Sequence, residues 1–180
     1  MKQIRIAFSL IFILIFTSNC FGISFSKEEK KPNYRTMTGV FASVNTKILQ
    51  SQDSIAIQNE LTLLAEKIKE YTRQTTREMP EEFYQDNIQT VILYGMLGIM
   101  NEKVAIEGRL TPDAALDCLG SAIGTALGLN EVYGDIVAIV NGTFSPGTFY
   151  GLAKKVLKRY LGWIALGIGI YSFGHCIGVW

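Results

Sequence analysis

The sequence is poor in charged residues, and this shortage excludes several classes of protein. Charged side chains make up 18% of the 180 residues, below the roughly 25% that is typical of soluble globular domains. The formal net charge is +1, whereas nucleic-acid-binding domains usually show a strongly basic balance or stripe. We therefore expect no nucleic-acid partner and an unusually apolar fold.

Histidine, cysteine and proline are also scarce. His175 is the one histidine and precedes Cys176, but neighbouring side chains in a helix point about 100° apart, which is unsuitable for a nucleophile and its base. One histidine and three scattered cysteines do not make a zinc site. With four prolines between long apolar runs, extensive disorder is not expected. We predict that the chain is not an enzyme and holds no metal and no cofactor.

What the sequence does contain begins with an export signal. Lys2 and Arg5 precede the apolar run 6–16, and small and polar residues follow as far as Cys20. A positive start, an apolar middle and a small-residue end are the parts of a secretory signal peptide. Residues 1–26 are therefore predicted to be a signal, residues 27–35 a solvated tether, and residues 36–180 a single helical domain.

The four residues ending at Cys20, TSNC, resemble the lipobox of bacterial exported lipoproteins. The resemblance implies a lipid on Cys20, with Thr17 and Asn19 standing where that motif usually has an aliphatic and a small residue. Cleavage after a site such as residues 24–26 is the alternative, and a third is an uncleaved anchor, since residues 6–26 carry no charge and can span about 30 Å of hydrocarbon. We expect an exported protein, periplasmic or outer-surface, tethered to a membrane.

Helical periodicity dominates the chain after residue 36. The clearest example is a stripe that repeats at steps of three and four, which indicates an amphipathic helix. Its members are Ile57, Leu61, Leu64, Ile68 and Tyr71. Other helices are predicted from Thr36 to Leu49, from Pro80 to about Gly108, from Thr111 to Asn130, from Val132 to Val140 and from Pro146 or Phe149 to Trp180. The run 132–140 is equally compatible with a strand by its periodicity, and we favour a helix because helices surround it.

Two of these helices are expected to pack closely. Residues 91–100 are apolar on every face except at Tyr94, which is typical of a buried core helix. In the next helix Gly120, Gly124 and Gly128 lie four residues apart and form one smooth face. Such spacing favours close helix packing, in a protein core or inside a membrane.

The last stretch, residues 160–180, has no side chain that is charged at neutral pH apart from any protonated His175. Two stripes run along it, one through Leu161, Ile164 and Ile168 and the other through Trp163, Gly167, Ile170 and Gly174. We predict a buried helix, with a transmembrane span as the alternative. Upstream lies a cationic patch, for which we expect a solvated helix face and, as the alternative, contact with anionic lipid headgroups. The patch comprises Lys154, Lys155, Lys158 and Arg159.

Two cysteines are left once Cys20 is lipidated or removed. In an oxidising compartment the simplest expectation is a disulfide between Cys118 and Cys176, and two buried free thiols are the alternative. Together these patterns predict an all-α compact bundle of about five to six helices with a buried apolar C-terminal helix. The predicted function is non-enzymatic binding or scaffolding at the cell envelope, with a membrane-active, bilayer-inserting protein as the alternative.

Overall fold

The computed structural model describes residues 34–123, 134, 137–138, 145–156 and 161–180. Within these ranges the regular structure is entirely helical, with eight α-helices, five of them seven residues or longer. The α-helices are α1 (Met37–Ala42), α2 (Thr46–Leu49), α3 (Ser54–Thr75), α4 (Glu81–Gln85), α5 (Ile88–Asn101), α6 (Pro112–Ile123), α7 (Pro146–Val156) and α8 (Trp163–Cys176). A π-helical turn, Glu102–Ile106, continues α5. The all-α prediction is confirmed.

Some predictions lie outside the described residues. These are the signal with Cys20, nearly all of the tether, most of the run 132–140, and Gly124, Gly128, Lys158 and Arg159. Among the described residues, no helix is both long enough and apolar enough to cross a membrane.

Helix α5 lies at the centre, as its all-round apolar sequence predicts. Its residues from Val91 to Leu97 are buried, and it packs against α1, α3 and α7. Neighbouring side chains approach α5 closely at Gly95, because a Cβ there would lie 2.8 Å from both Phe41 Cε2 and Ile68 Cδ1. A glycine is therefore required where α5 meets α1 and α3.

Helix α3 presents the predicted stripe to the core. Ile57, Leu61, Leu64 and Ile68 are fully buried. The Asp53 carboxylate begins the helix by accepting hydrogen bonds from the amides of Ile55 and Ala56 at 3.0 Å each. The helix ends at Thr75, before Pro80 is reached.

Short polar interruptions divide two of the helices that periodicity predicts as continuous. The first is split at Ser43–Asn45, where the Asn45 side chain caps α2 by accepting from the Lys47 amide. The second is split at Asp86–Asn87, where Asn87 accepts from the Thr90 amide at 2.9 Å and begins α5. Asx side chains bond nearby backbone amides and so favour helix starts over helix interiors. The spacing of apolar residues carries no information about such caps.

The prediction of one helix from about residue 146 to the C-terminus is also wrong. Leu161 and Gly162 are not helical, and Gly162 is extended, with φ −61° and ψ 150°. The Gln89 side chain satisfies both backbone groups of Leu161, accepting from its N–H at 2.9 Å and donating to its C=O at 2.8 Å. These two bonds replace helical ones, and glycine weakens a helix at the next residue.

Helix α8 is buried along one face, which confirms the buried C-terminal helix. Gly167, Ile170 and Gly174 are buried, helix α8 packs against α2, α3 and α6, and Trp163 is half-buried. In the other predicted stripe Leu161 and Ile164 are half-buried against the core, whereas Ile168 is 45% exposed. The stripe that contains the small residues is therefore the more deeply buried of the two.

The predicted disulfide between Cys118 and Cys176 is confirmed, and it joins α6 to α8 with a Cα–Cα distance of 5.6 Å. The two helices also approach closely at Gly169, because a Cβ there would lie less than 3.0 Å from the Ala122 carbonyl oxygen. Gly120, on the face predicted to pack closely, is half-buried in α6.

Candidate binding cleft

A cleft of about 250 Å³ lies among α1, α3, α5, the π-helical turn and the start of α7. One side is aromatic, formed by Tyr71, Tyr94 and Phe149. The polar part of the lining comprises Thr75, Thr76, Asn101 and Glu102. Met37, Gly98, Ile106 and Pro146 complete the wall. This mixture of an apolar body and a few polar groups is typical of ligand sites, although the volume is below the usual 300–1,000 Å³.

The end of α5 positions the two most polar members of the lining. Asn101 is the last α-helical residue, and Glu102 opens the π-helical turn. Single π turns inside helices occur frequently at functional sites. The turn closes with hydrogen bonds from Glu107 N to Glu102 O at 2.8 Å and from Arg109 N to Lys103 O at 2.9 Å. These hydrogen bonds fix the backbone of the helical segment that carries Asn101 and Glu102.

Glu102 connects the cleft to the first helix of the domain. Its Oε1 accepts from the Met37 amide at 2.6 Å, and its Oε2 accepts from the amide and hydroxyl of Thr38 at 2.8 and 2.7 Å. A carboxylate is favourable at a helix N-terminus, where backbone N–H groups lack partners. These three bonds hold α1 against the turn that follows α5.

Asn101, which lines the same wall, has an unsatisfied polar atom. Its Oδ1 is buried and has no hydrogen-bond partner. Leaving a buried acceptor unpaired costs about 1–3 kcal/mol. Such a cost in a folded domain is a reason to look for a function at that atom.

The two tyrosines of the cleft are held in their neutral form. Burial raises the pKa of Tyr94, which is 7% exposed, above its usual value. Burial and, second, the negative charge of Glu102 raise the pKa of Tyr71. The Tyr94 and Phe149 rings meet edge to face with their centroids 6.5 Å apart. At neutral pH the cleft therefore offers uncharged aromatic surfaces beside one carboxylate.

A second cavity, of about 330 Å³, is lined by Asp86, Asn87, Ile88, Gln89 and Trp163. Its polar side chains already have partners within the protein. Asp86 accepts from the Tyr150 hydroxyl at 2.7 Å, and Gln89 holds the Leu161 backbone. Burial, followed by the hydrogen bond to Asp86, raises the pKa of Tyr150. We therefore assign these groups a structural role and not a ligand-binding one.

The described residues that the sequence predicted as site residues do not line the cleft. Cys118 and Cys176 are bonded to each other on α6 and α8. Lys154 and Lys155 are exposed on α7. The Lys154 Nζ lies 4.0 Å from the Glu82 Oε2 and 5.3 Å from the centroid of the Tyr150 ring.

Sequence reasoning missed the members of the cleft. One local signal was present, the polar pair Asn101-Glu102 directly after a long apolar run. No pattern in the sequence indicates that this pair lies near Met37 or Phe149 in the folded domain.

No family model matches the chain, and neither a curated protein nor a solved structure matches it. In the part of the chain that the structure describes, no group of three or more His, Cys, Asp and Glu side chains is arranged to hold a metal ion.

Proposed function

We propose that this protein is an exported, non-enzymatic binding protein of the cell envelope whose cleft captures a small ligand or a side chain of a partner. The observation that carries the proposal is the composition of the cleft wall. Three aromatic residues, Glu102 and Asn101 line one small space, and the buried amide oxygen of Asn101 has no hydrogen-bond partner. A wall of this kind supplies apolar contact and a few orienting polar groups, which is what a binding site requires.

The disulfide supports the exported part of the proposal. Disulfides persist in oxidising compartments such as the bacterial periplasm and the cell surface. The predicted signal supports the same compartment, and we propose that Cys20 carries the lipid that tethers the protein. Mass spectrometry of the protein from its native membranes tests this, since a diacylglyceryl group on Cys20 is expected. A mature chain that begins after residues 24–26 would remove the tether from the proposal.

The binding role is tested by asking whether ligands enter the cleft. A fragment library is screened against the oxidised protein by NMR, and we expect hits that shift the signals of Tyr71 and Tyr94. Gly98→Leu fills the cleft, because Gly98 lines it and a Cβ there makes only ordinary contact with Met37, at 3.4 Å. It should abolish those shifts.

Gly151→Leu is the matched control for the filled cleft. It makes the same change in a helix, at a position where a Cβ meets nothing within 4 Å and which does not line the cleft. Hits should persist in this variant. If no fragment shifts the cleft signals of the native protein, the binding role is wrong.

The second candidate function, a membrane-active protein, is favoured by the outward face of α8. The exposed positions Ala165, Ile168 and Ser172 form a strip without formal charge, and the cations Lys154 and Lys155 lie upstream. In this alternative, reduction of the disulfide frees α6 and α8 to enter a bilayer. Leakage of anionic phospholipid vesicles by the reduced protein would support it, and an absence of leakage in both redox states would eliminate it.

A further inference from the structure

We infer that the cleft selects a primary ammonium group carried on a short apolar chain. The inference rests on the proposed binding function and names the chemical class of its ligand. It follows from the charge, the free acceptor positions and the aromatic surface of the cleft wall.

The charge of the lining is of one sign. Glu102 is the only formally charged residue among the described residues that line the cleft. A carboxylate ligand would meet this charge without a compensating cation, whereas an ammonium would be attracted to it. Opposite charges attract and like charges repel strongly at a partly buried site, so this charge favours a cationic ligand over an anionic one.

Glu102 retains acceptor capacity for an N–H donor. A carboxylate has about four acceptor positions, and Glu102 receives three donors, two at Oε2 and one at Oε1. One position on Oε1 therefore has no donor from these groups. Asn101 also lines the cleft, and its enclosed Oδ1 accepts from no group. An ammonium carries three donors and no acceptor, so it suits a lining with unused acceptors, whereas an ether or a ketone does not.

The aromatic wall favours the same ligand. A cation within about 6 Å of the face of an aromatic ring is attracted to it, and Tyr71, Tyr94 and Phe149 all line the cleft. The raised pKa of both tyrosines keeps these rings neutral at physiological pH. Met37 and Ile106 supply apolar surface for the carbon chain. The volume of about 250 Å³ limits that chain to a few carbons.

The test compares three probes with the same five-carbon chain on the oxidised full-length protein at pH 7. We expect n-pentylamine to bind at least tenfold more tightly than 1-pentanol, and pentanoate to show no saturable binding. Equal binding of the amine and the alcohol, or tighter binding of pentanoate, would overturn the inference. Such a result would leave the binding role standing, whereas the absence of any ligand from the cleft in the fragment screen would remove both.

Two variants examine the acceptors separately. Glu102→Gln should weaken amine binding at least tenfold and leave pentanol binding unchanged, while Glu78→Gln removes the same charge at an exposed side chain outside the cleft and should change neither. Asn101→Leu removes the unpaired acceptor, so amine binding should fall while the urea midpoint of unfolding does not. If amine binding is unchanged in both Glu102→Gln and Asn101→Leu, the assignment of these oxygens is wrong.

A fourth probe distinguishes the source of the ammonium. Lysine blocked at both ends carries the same alkylammonium group as part of a peptide. Tighter binding of blocked lysine than of pentylamine indicates a lysine side chain of a partner protein. The reverse order indicates a free amine. In either case the inference requires that pentylamine binds more tightly than pentanol.

Discussion

The substitution Gly169→Ala should destabilise the fold although alanine is the better helix former. Gly169 lies inside α8, where replacing glycine by alanine normally stabilises a helix by about 1 kcal/mol. Here the added methyl group would lie less than 3.0 Å from the Ala122 carbonyl oxygen of α6. Ordinary van der Waals contact begins near 3.4 Å, so the two helices must separate by several tenths of an ångström.

The size of the effect follows from two opposing contributions. Inserting a methyl group into a packed contact costs about 1–3 kcal/mol, and here the contact atom is a backbone oxygen that cannot rotate away. The disulfide between Cys118 and Cys176 ties the same two helices together and opposes their separation. Subtracting the gain in helix propensity leaves a net loss of about 0–2 kcal/mol in the free energy of unfolding, and the backbone contact places the expected loss above about 1 kcal/mol.

Gly151→Ala supplies the matched control. Gly151 lies inside α7, and a Cβ there meets nothing within 4 Å, so the same substitution should stabilise by about 0.5–1 kcal/mol. In urea unfolding followed by circular dichroism, the two variants should differ by about 2 kcal/mol, or about 1 M in midpoint for a slope near 2 kcal/mol per M. If Gly169→Ala is as stable as Gly151→Ala, the reasoning about the α6–α8 contact is refuted.

Three further predictions concern contacts between distant segments. Reducing the disulfide between Cys118 and Cys176, which are separated by 58 residues, should lower the free energy of unfolding by about 4 kcal/mol, as measured in urea with and without dithiothreitol. Gln89→Leu leaves the N–H and C=O of Leu161 unpaired and should cost about 2–4 kcal/mol, whereas Gln85→Leu, at an exposed position, should change stability little. Because burial raises the pKa of Tyr94 in the folded state, its contribution to stability is complete below pH of about 10 and is lost as the pH rises through the folded-state pKa. The urea midpoint should therefore fall less steeply above pH 10 in Tyr94→Phe.

The sequence predicted those elements that local patterns determine. The stripe on α3 and the all-round apolar α5 are visible as periodicity, because each helix buries the face that its own residues define. The disulfide was predictable by elimination, since Cys118 and Cys176 are the two cysteines left once Cys20 is assigned to the signal. The burial of the two helices and the pairing of the two cysteines could therefore be predicted without knowledge of the tertiary structure.

The helix boundaries were less predictable because weak local choices decide them. Asn45 and Asn87 end one helical pattern and begin another by accepting a single backbone hydrogen bond, a contribution of about 1 kcal/mol. An apolar period that continues across both sites hides these breaks. The interruption at Leu161 depends on Gln89, which lies 72 residues earlier in the chain, and no window of sequence contains both residues.

The candidate cleft was not predictable for a related reason. Met37, Tyr71, Glu102 and Phe149 belong to four separate segments and meet only in the folded domain. The one local sign was Asn101-Glu102 at the end of a helix that is otherwise apolar. The role of Glu102 as a cap for α1 becomes apparent only when residues 64 and 65 positions apart are brought together.

The break at Leu161–Gly162 explains how the uncharged C-terminal run is buried against other helices of the protein. A continuous helix over residues 146–176 would be about 46 Å long, longer than the roughly 38 Å diameter expected for a compact domain of about 150 residues. One straight helix of that length would extend beyond the partners available to it. Because the chain turns at Gly162, α7 packs against α5 while α8 packs against α6, α3 and α2. The Gln89 side chain bonds both backbone groups of Leu161 at that turn, and in the helix that follows Ile170 and Phe173 are fully buried.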